Sequence, residues 1–198
     1  MGMHLYWRMR SISPTLTADD FELAIGSLGI LNEGQLRLRT RFIALDPYLA
    51  RAMRCWSGEV AGWSDGTIHG RIVAEVIESR DPGFAPGDTV IGVGRWQQEQ
   101  CVDATGFRPI PPWMDPPSLA LGILGASGMT AWVGLHLAQP RSGETLLVSA
   151  ATGPVASVVA QLGVARGLRV IGIAGGPEKC RHAVERLGFE TCLDHREP

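Results

Sequence analysis

The sequence predicts an α/β protein in two parts: a β-rich N-terminal part, then a part in which strands and helices alternate on a parallel sheet. Three observations carry that prediction. Runs with period-two alternation, joined by Gly/Pro turns, fill the chain before residue 109; a proline-dense segment, PIPPWMDPP at residues 109–117, interrupts it; and beyond that segment short apolar runs alternate with helical patterns.

The elements follow in order. GQLRLRTRFIAL alternates apolar and charged residues and places Leu36, Leu38 and Phe42 on one face of a strand. IHGRIVAEVIES reads as a second strand, and DPGFAPGDTVIGVG as a turn at Pro86, Gly87 and Asp88 that launches a third through Val90 and Val93. Short strands joined this way suggest a small barrel or sandwich. The proline segment sets a domain boundary, giving domains of 1–117 and 118–198. After it, SLALGILG and MTAWVGLHLA are helical, broken at Gly125 and Gly128. Then come strand ETLLVSA, helix PVASVVAQLGVARG, strand RVIGIAG, helix PEKCRHAVERLG and a short strand at TCLD, the pattern of βαβ units.

Composition narrows the function. With 198 residues, 45% hydrophobic and 19% charged, the chain has the make-up of a globular protein with a substantial core. A formal net charge of -2 and no long basic run leave no electrostatic footprint for nucleic acid or an anionic membrane, so small molecules are the expected partners. The opening MGMHLYWRMR has no apolar stretch of signal-peptide length, and no run approaches the ~20 residues of a membrane span, so a cytoplasmic location is expected. Cys55, Cys101, Cys180 and Cys192 form no C-x-x-C pair and are expected as buried free thiols. His69, at the mouth of a strand, has no Cys, Asp or Glu at ligand spacing and is expected to be structural rather than a metal ligand.

Residues 150–163, AATGPVASVVAQLG, lie between an apolar strand and a helix. A glycine turn there lets backbone approach a pyrophosphate, to which the helix N-terminus presents free N–H groups. Gly153 and Pro154 sit at that point, but Ala150 and Ala156 stand where the first and third glycines of the usual fingerprint would be. Spacing alone leaves both a dinucleotide loop and a plain turn open. After the next strand, RVIGIAGGPEKC has Gly175, Gly176 and Lys179 with no acid before Glu178, which favours NADP(H) over NAD(H). The competing reading is a Gly-Gly turn with Lys179 on a solvated helix face.

With LDPYLARAM, GFAPGDTVIGVGRWQQ, LGILGASGMTAW, GETLLVSAATGPVASVVAQL and RVIGIAGGPEKC in that order, the sequence resembles the zinc-independent medium-chain dehydrogenases/reductases, in the group of prostaglandin, plant alkenal and bacterial curcumin reductases. The resemblance implies a GroES-like catalytic domain over 1–117, a barrel, followed by an NADP-binding Rossmann domain over 118–198. It implies reduction of an activated carbon–carbon double bond in enones or enals by NADPH, with quinones as a further substrate class. Gly153, Pro154, Val155 and Ala156 match the diphosphate loop, and Lys179 the 2′-phosphate lysine. His195 stands where the family has a tyrosine near that phosphate. Thr130 matches a position close to the nicotinamide, and Tyr48 a substrate-side tyrosine proposed as catalytic. The Gly-His-Glu signature of the zinc enzymes is absent, since Gly70 follows His69, so metal-free hydride transfer is implied.

A complete dinucleotide fold has strand order 3-2-1-4-5-6, and the predicted strands account for its first βαβαβ half. The expectation is a truncated portion of a longer reductase, or a short form whose open strand edge is covered by a partner or by self-association, most simply a homodimer. The alternative to an enzyme is a non-catalytic NADP-binding or protein-interaction module.

Overall fold

The computed structural model describes residues 3–10, 15–55 and 66–197. The chain divides into two compact units, Met1–Leu121 and Gly122–Pro198.

In the first unit β1 (Met3–Met9) pairs antiparallel with β2 (Phe21–Ser27). Then follow β3 (Gln35–Ile43), α1 (Pro47–Cys55), β4 (His69–Ser79), β5 (Thr89–Arg95), β6 (Glu99–Asp103) and β7 (Phe107–Pro109). The five strands form one antiparallel sheet in the order β6-β3-β4-β5-β7. Isolated bridges, Tyr6 to Gln97 and Arg8 to Thr67, join the β1-β2 hairpin to that sheet. The β-rich domain is therefore a sheet with a bridged hairpin, and among the described residues its ladder does not close all round. β1, β2, α1, β6 and β7 are elements additional to those read from periodicity.

Leu36, Leu38, Ile72, Ala74, Val76 and Val90 form the core of this unit. Phe42 does not join them. Between Thr40 and Phe42 the β3-β4 register shifts, one extra residue entering on β3, so Phe42 turns out to 42% exposure. Val93, three residues along β5 from Val90, points to the other face of the strand and is 61% exposed. The proline-dense segment packs back onto the sheet through Ile110 and the partly buried Met114, which join Val73, Ile91 and, from the following turn, Ala120. The division between units accordingly falls after the 3₁₀ turn at Pro117–Leu121.

The second unit holds α2 (Ala126–Ala138), β8 (Thr145–Ser149), α3 (Pro154–Ala165), β9 (Arg169–Ala174), α4 (Pro177–Leu187) and β10 (Thr191–Asp194). Its three strands are parallel in the order β10-β9-β8, the 3-2-1 arrangement of the first dinucleotide half. Ala156, Ala160, Val170, Ala174, Ala183 and Phe189 make its core. Gly163 lets α3 press onto the sheet, because a Cβ there would meet Val170 Cγ2 at 2.8 Å. Gly128, expected to break a helix, instead lies inside α2: a Cβ would stand 1.6 Å from the Ile123 carbonyl oxygen, so glycine admits that backbone against the helix. Cys180 and Cys192 are half-buried free thiols against this core, and burial, then Cys180, pushes the Cys192 thiol up to about 11. Cys101 is free too; the side chain of Cys55 lies outside the described residues.

Candidate functional site

The site is built where β8 and β9 end and α3 and α4 begin. Past β8 the chain turns through Ala150, which takes a left-handed φ of 50. The Gly153 N–H donates to the Ala150 carbonyl at 2.7 Å and closes the turn, while the Ala151 N–H donates to the Ile173 carbonyl at 3.0 Å and ties the loop to β9. Gly153 caps α3, and Pro154 fills its first position, where an N–H has no intrahelical acceptor to lose. The N–H groups of Val155 and Ala156 belong to the same first turn. Ala156, 4% exposed, packs helix against sheet, the task of the fingerprint's third glycine.

Past β9 the chain turns through Gly175 and Gly176, the latter at φ 102, a conformation open to glycine and strained for other residues. Opposite them stands the turn that follows β10. The Asp194 carboxylate oxygen Oδ1 accepts the Gly176 N–H at 2.8 Å and the Arg196 N–H at 3.0 Å. Those backbone bonds, Gly176 first, hold the Asp194 carboxyl below the usual carboxylate range. The His195 N–H donates to the Ala174 carbonyl at 3.0 Å. His195 and Arg196 then lie over Gly175: a Cβ there would meet His195 Nε2 at 2.8 Å and Arg196 Nε at 3.0 Å.

Together these turns enclose a cleft of about 520 Å³ whose walls include Ala150, Gly153, Gly175, Lys179, His195 and Arg196, with no carboxylate among its lining residues. Of the residues expected at the cofactor, Gly153, Gly175, Lys179 and His195 thus meet at one cleft. Pro154, Val155 and Ala156 stand behind it in α3. Thr130 lies on α2 and its hydroxyl donates to the Ala126 carbonyl at 2.7 Å, away from the cleft lining. Tyr48 is in the other unit, in the first turn of α1, 59% exposed. His69 Nε2 lies 3.2 Å from Thr67 Oγ1.

Sequence reasoning missed Asp194 and Arg196. The available signal was position: in a βαβαβ half the residues after the third strand stand beside those after the second, and Arg196 directly follows His195. The set fits a dinucleotide phosphate: Gly153 and Gly175 in the two turns permit close backbone approach, and three nitrogen-bearing side chains line the cleft with no carboxylate among its lining residues.

Residues 6–110 match the family described as the N-terminal domain of oxidoreductase. The NADPH-dependent curcumin reductase of Escherichia coli (strain K12) is 41% identical over 183 residues, 89% of this chain and 52% of that protein. Prostaglandin reductase 1 of Rattus norvegicus is 36% identical over 91% of this chain and 54% of its own length. The crystal structure of CurA from Vibrio vulnificus in complex with NADPH superposes with a TM-score of 0.80 at 33% identity, over 98% of this chain and 58% of that one. The chain spans about half the length of the curated relatives it matches. It belongs to the zinc-independent medium-chain dehydrogenases/reductases, in the group of the curcumin, prostaglandin and 2-alkenal reductases.

Proposed function

We propose that this chain holds the adenosine and diphosphate of NADPH for the reduction of activated carbon–carbon double bonds in enones or enals. The observation that carries the reading is the cleft at the ends of β8 and β9, glycine-floored and acid-free, with Lys179 and His195 converging from different elements. Gly153 to Ala156 hold the diphosphate at the N-terminus of α3. Lys179 and His195 serve the 2′-phosphate, where an NAD-binding protein would carry an acid for the ribose hydroxyl. NADPH supplies the hydride. Thr130 faces the nicotinamide end, and the Tyr48 hydroxyl donates to the carbonyl oxygen of the substrate and stabilises the enolate charge that develops there. The names of the relatives support this reading, since they include NADPH-dependent curcumin reductase and NADP(+)-dependent 2-alkenal reductase.

Calorimetric titration of the purified chain with NADPH and NADH tests the reading. Saturable binding that favours NADPH, with NADPH weakened and NADH little changed in Lys179→Ala, is the expected result; equal affinity for both sinks it. An enone assay then separates the enzyme from a second reading, a non-catalytic NADP-binding or protein-interaction module. The observation behind that second reading is that neither Thr130 nor Tyr48 is among the residues that line the cleft. Binding without turnover supports it.

The proposal extends to a homo-oligomer, at its smallest a dimer. It is supported by the outer side of β8, unpaired among the described residues, and by exposed Leu137 and Leu147 in the second unit.

A further inference from the structure

We propose that Arg196 is a third donor to the 2′-phosphate of the bound dinucleotide, and that Asp194 is the residue that positions it; the inference rests on the NADPH reading above. Arg196 reaches the cleft from the turn after β10, whereas Lys179 reaches it from α4, so the two cations approach from different elements. The guanidinium lies along the Gly175-Gly176 turn, with Nε 3.0 Å from where a Gly175 Cβ would stand and one terminal nitrogen 3.9 Å from a Gly176 Cβ. A Cβ at Gly175 would crowd it, whereas the approach at Gly176 is ordinary van der Waals contact.

Two further observations say that this guanidinium is held ready for an anion. Arg169, a few residues before the glycines, is fastened to Glu190 at 2.7 Å, whereas Arg196 forms no ion pair among the described residues. The acid beside it, Asp194, spends its Oδ1 oxygen on two backbone N–H groups, those of Gly176 and of Arg196 itself. With the His195 N–H fixed on the Ala174 carbonyl, both residues of the turn are anchored through their backbones before any ligand arrives. A phosphate dianion gains charge-assisted, fork-shaped hydrogen bonds from such a group, and a ribose hydroxyl gains far less. Arg196 therefore determines specificity for the phosphorylated cofactor.

The test uses adenosine 2′,5′-bisphosphate and 5′-AMP, which differ only in the 2′-phosphate and ask nothing of the nicotinamide side. The 198-residue chain is titrated calorimetrically with each, as wild type and as Arg196→Gln, Lys179→Ala, Asp194→Asn and Asp194→Ala, each variant first checked for native circular dichroism. Arg196→Gln is expected to weaken the bisphosphate about tenfold, the size of one exposed charge-assisted bond, and to leave 5′-AMP unchanged. Asp194→Asn keeps an acceptor oxygen and retains affinity. Asp194→Ala loses as much as Arg196→Gln, and a chain carrying both Asp194→Ala and Arg196→Gln loses no more than either, because the two act as one unit. A wild type that does not prefer the bisphosphate, or binds neither ligand, overturns the NADPH reading and this inference with it. A preference that Lys179→Ala erodes and Arg196→Gln does not leaves that reading standing and overturns the role of Arg196. Equal weakening of both ligands by Arg196→Gln overturns it as well, since the contact would then be to the adenosine or the 5′-phosphate.

Discussion

Ala150 stands where a phosphate-loop pattern asks for glycine, and it adopts the glycine conformation, with φ at 50. A left-handed alanine costs roughly 1–2 kcal/mol, while glycine would return roughly 0.5–1 kcal/mol of that as extra chain entropy in the unfolded state. Ala150→Gly is therefore expected to change stability by no more than about 1 kcal/mol in urea unfolding, on the stabilising side, with the same far-UV spectrum. At Asp194 the sign follows from its lowered carboxyl pKa. A group whose folded pKa is depressed adds stability that is fully present above its unfolded value of about 4 and is lost as pH falls through the folded value. Stability should thus decline below about pH 4 more steeply in wild type than in Asp194→Asn, as thermal melts across pH 2 to 6 would register. A flat difference between the two would remove Asp194 as an anchor. The same turn shows how far residues could be read in advance. Gly153, Gly175 and Lys179 were legible as candidates from their spacing after a strand, a spacing that a plain turn with a solvated lysine shares. Asp194 and Arg196 gain theirs only when β10 is laid beside β9, a neighbourhood set by topology.

At the scale of elements, periodicity located the strands and failed at their irregularities. Leu38 and Phe42 share a face in an ideal strand, yet Leu38 is 0% exposed and Phe42 is 42% exposed because the register shifts between them. Leu38→Ala is accordingly expected to cost about 2–5 kcal/mol in chemical denaturation, by removing buried methyl groups and leaving a cavity. Phe42→Ala should cost well under half of that; a comparable loss would place Phe42 back in the core. Helix contacts obey the same logic of space. Gly163 looks like a weak helix residue, but a Cβ there would meet Val170 Cγ2 at 2.8 Å. Gly163→Val should destabilise by about 1–3 kcal/mol through overpacking between α3 and β9, where helix propensity alone would favour valine. The βαβ units were legible because each strand and helix carries its own period. The short strands β6 and β7 were not, because five and three residues give too few repeats to count.

For the molecule as a whole, the decisive feature is apolar surface that the second unit leaves uncovered. α2 buries Gly128, Ala131 and Leu135 on one side. On the other it exposes Met129, Trp132, Val133 and Leu137, spaced i, i+3, i+4 and i+8, with the Trp132 ring stacked on His136 at 5.3 Å. A helix apolar on both sides is suited to burial on both. Among the described residues β8, meanwhile, hydrogen-bonds to β9 alone, and Leu147 on it is 58% exposed. Water cannot satisfy apolar side chains, and an edge strand offers its free N–H and C=O groups to any strand that arrives. The 198-residue chain is therefore expected to self-associate with rising concentration, and sedimentation velocity across a hundredfold dilution series should follow its return to monomer. Charge placed on each surface separates the two causes. If the helix drives assembly, Leu137→Glu shifts the midpoint to higher concentration and Leu147→Lys does not; if the strand edge drives it, the order reverses. Both side chains are already in solvent, so neither change should lower the melting temperature of the monomer, which keeps a loss of assembly distinct from a loss of fold. A wild type that stays monomeric throughout the series would show that these surfaces are too small or too polar at their margins to pair.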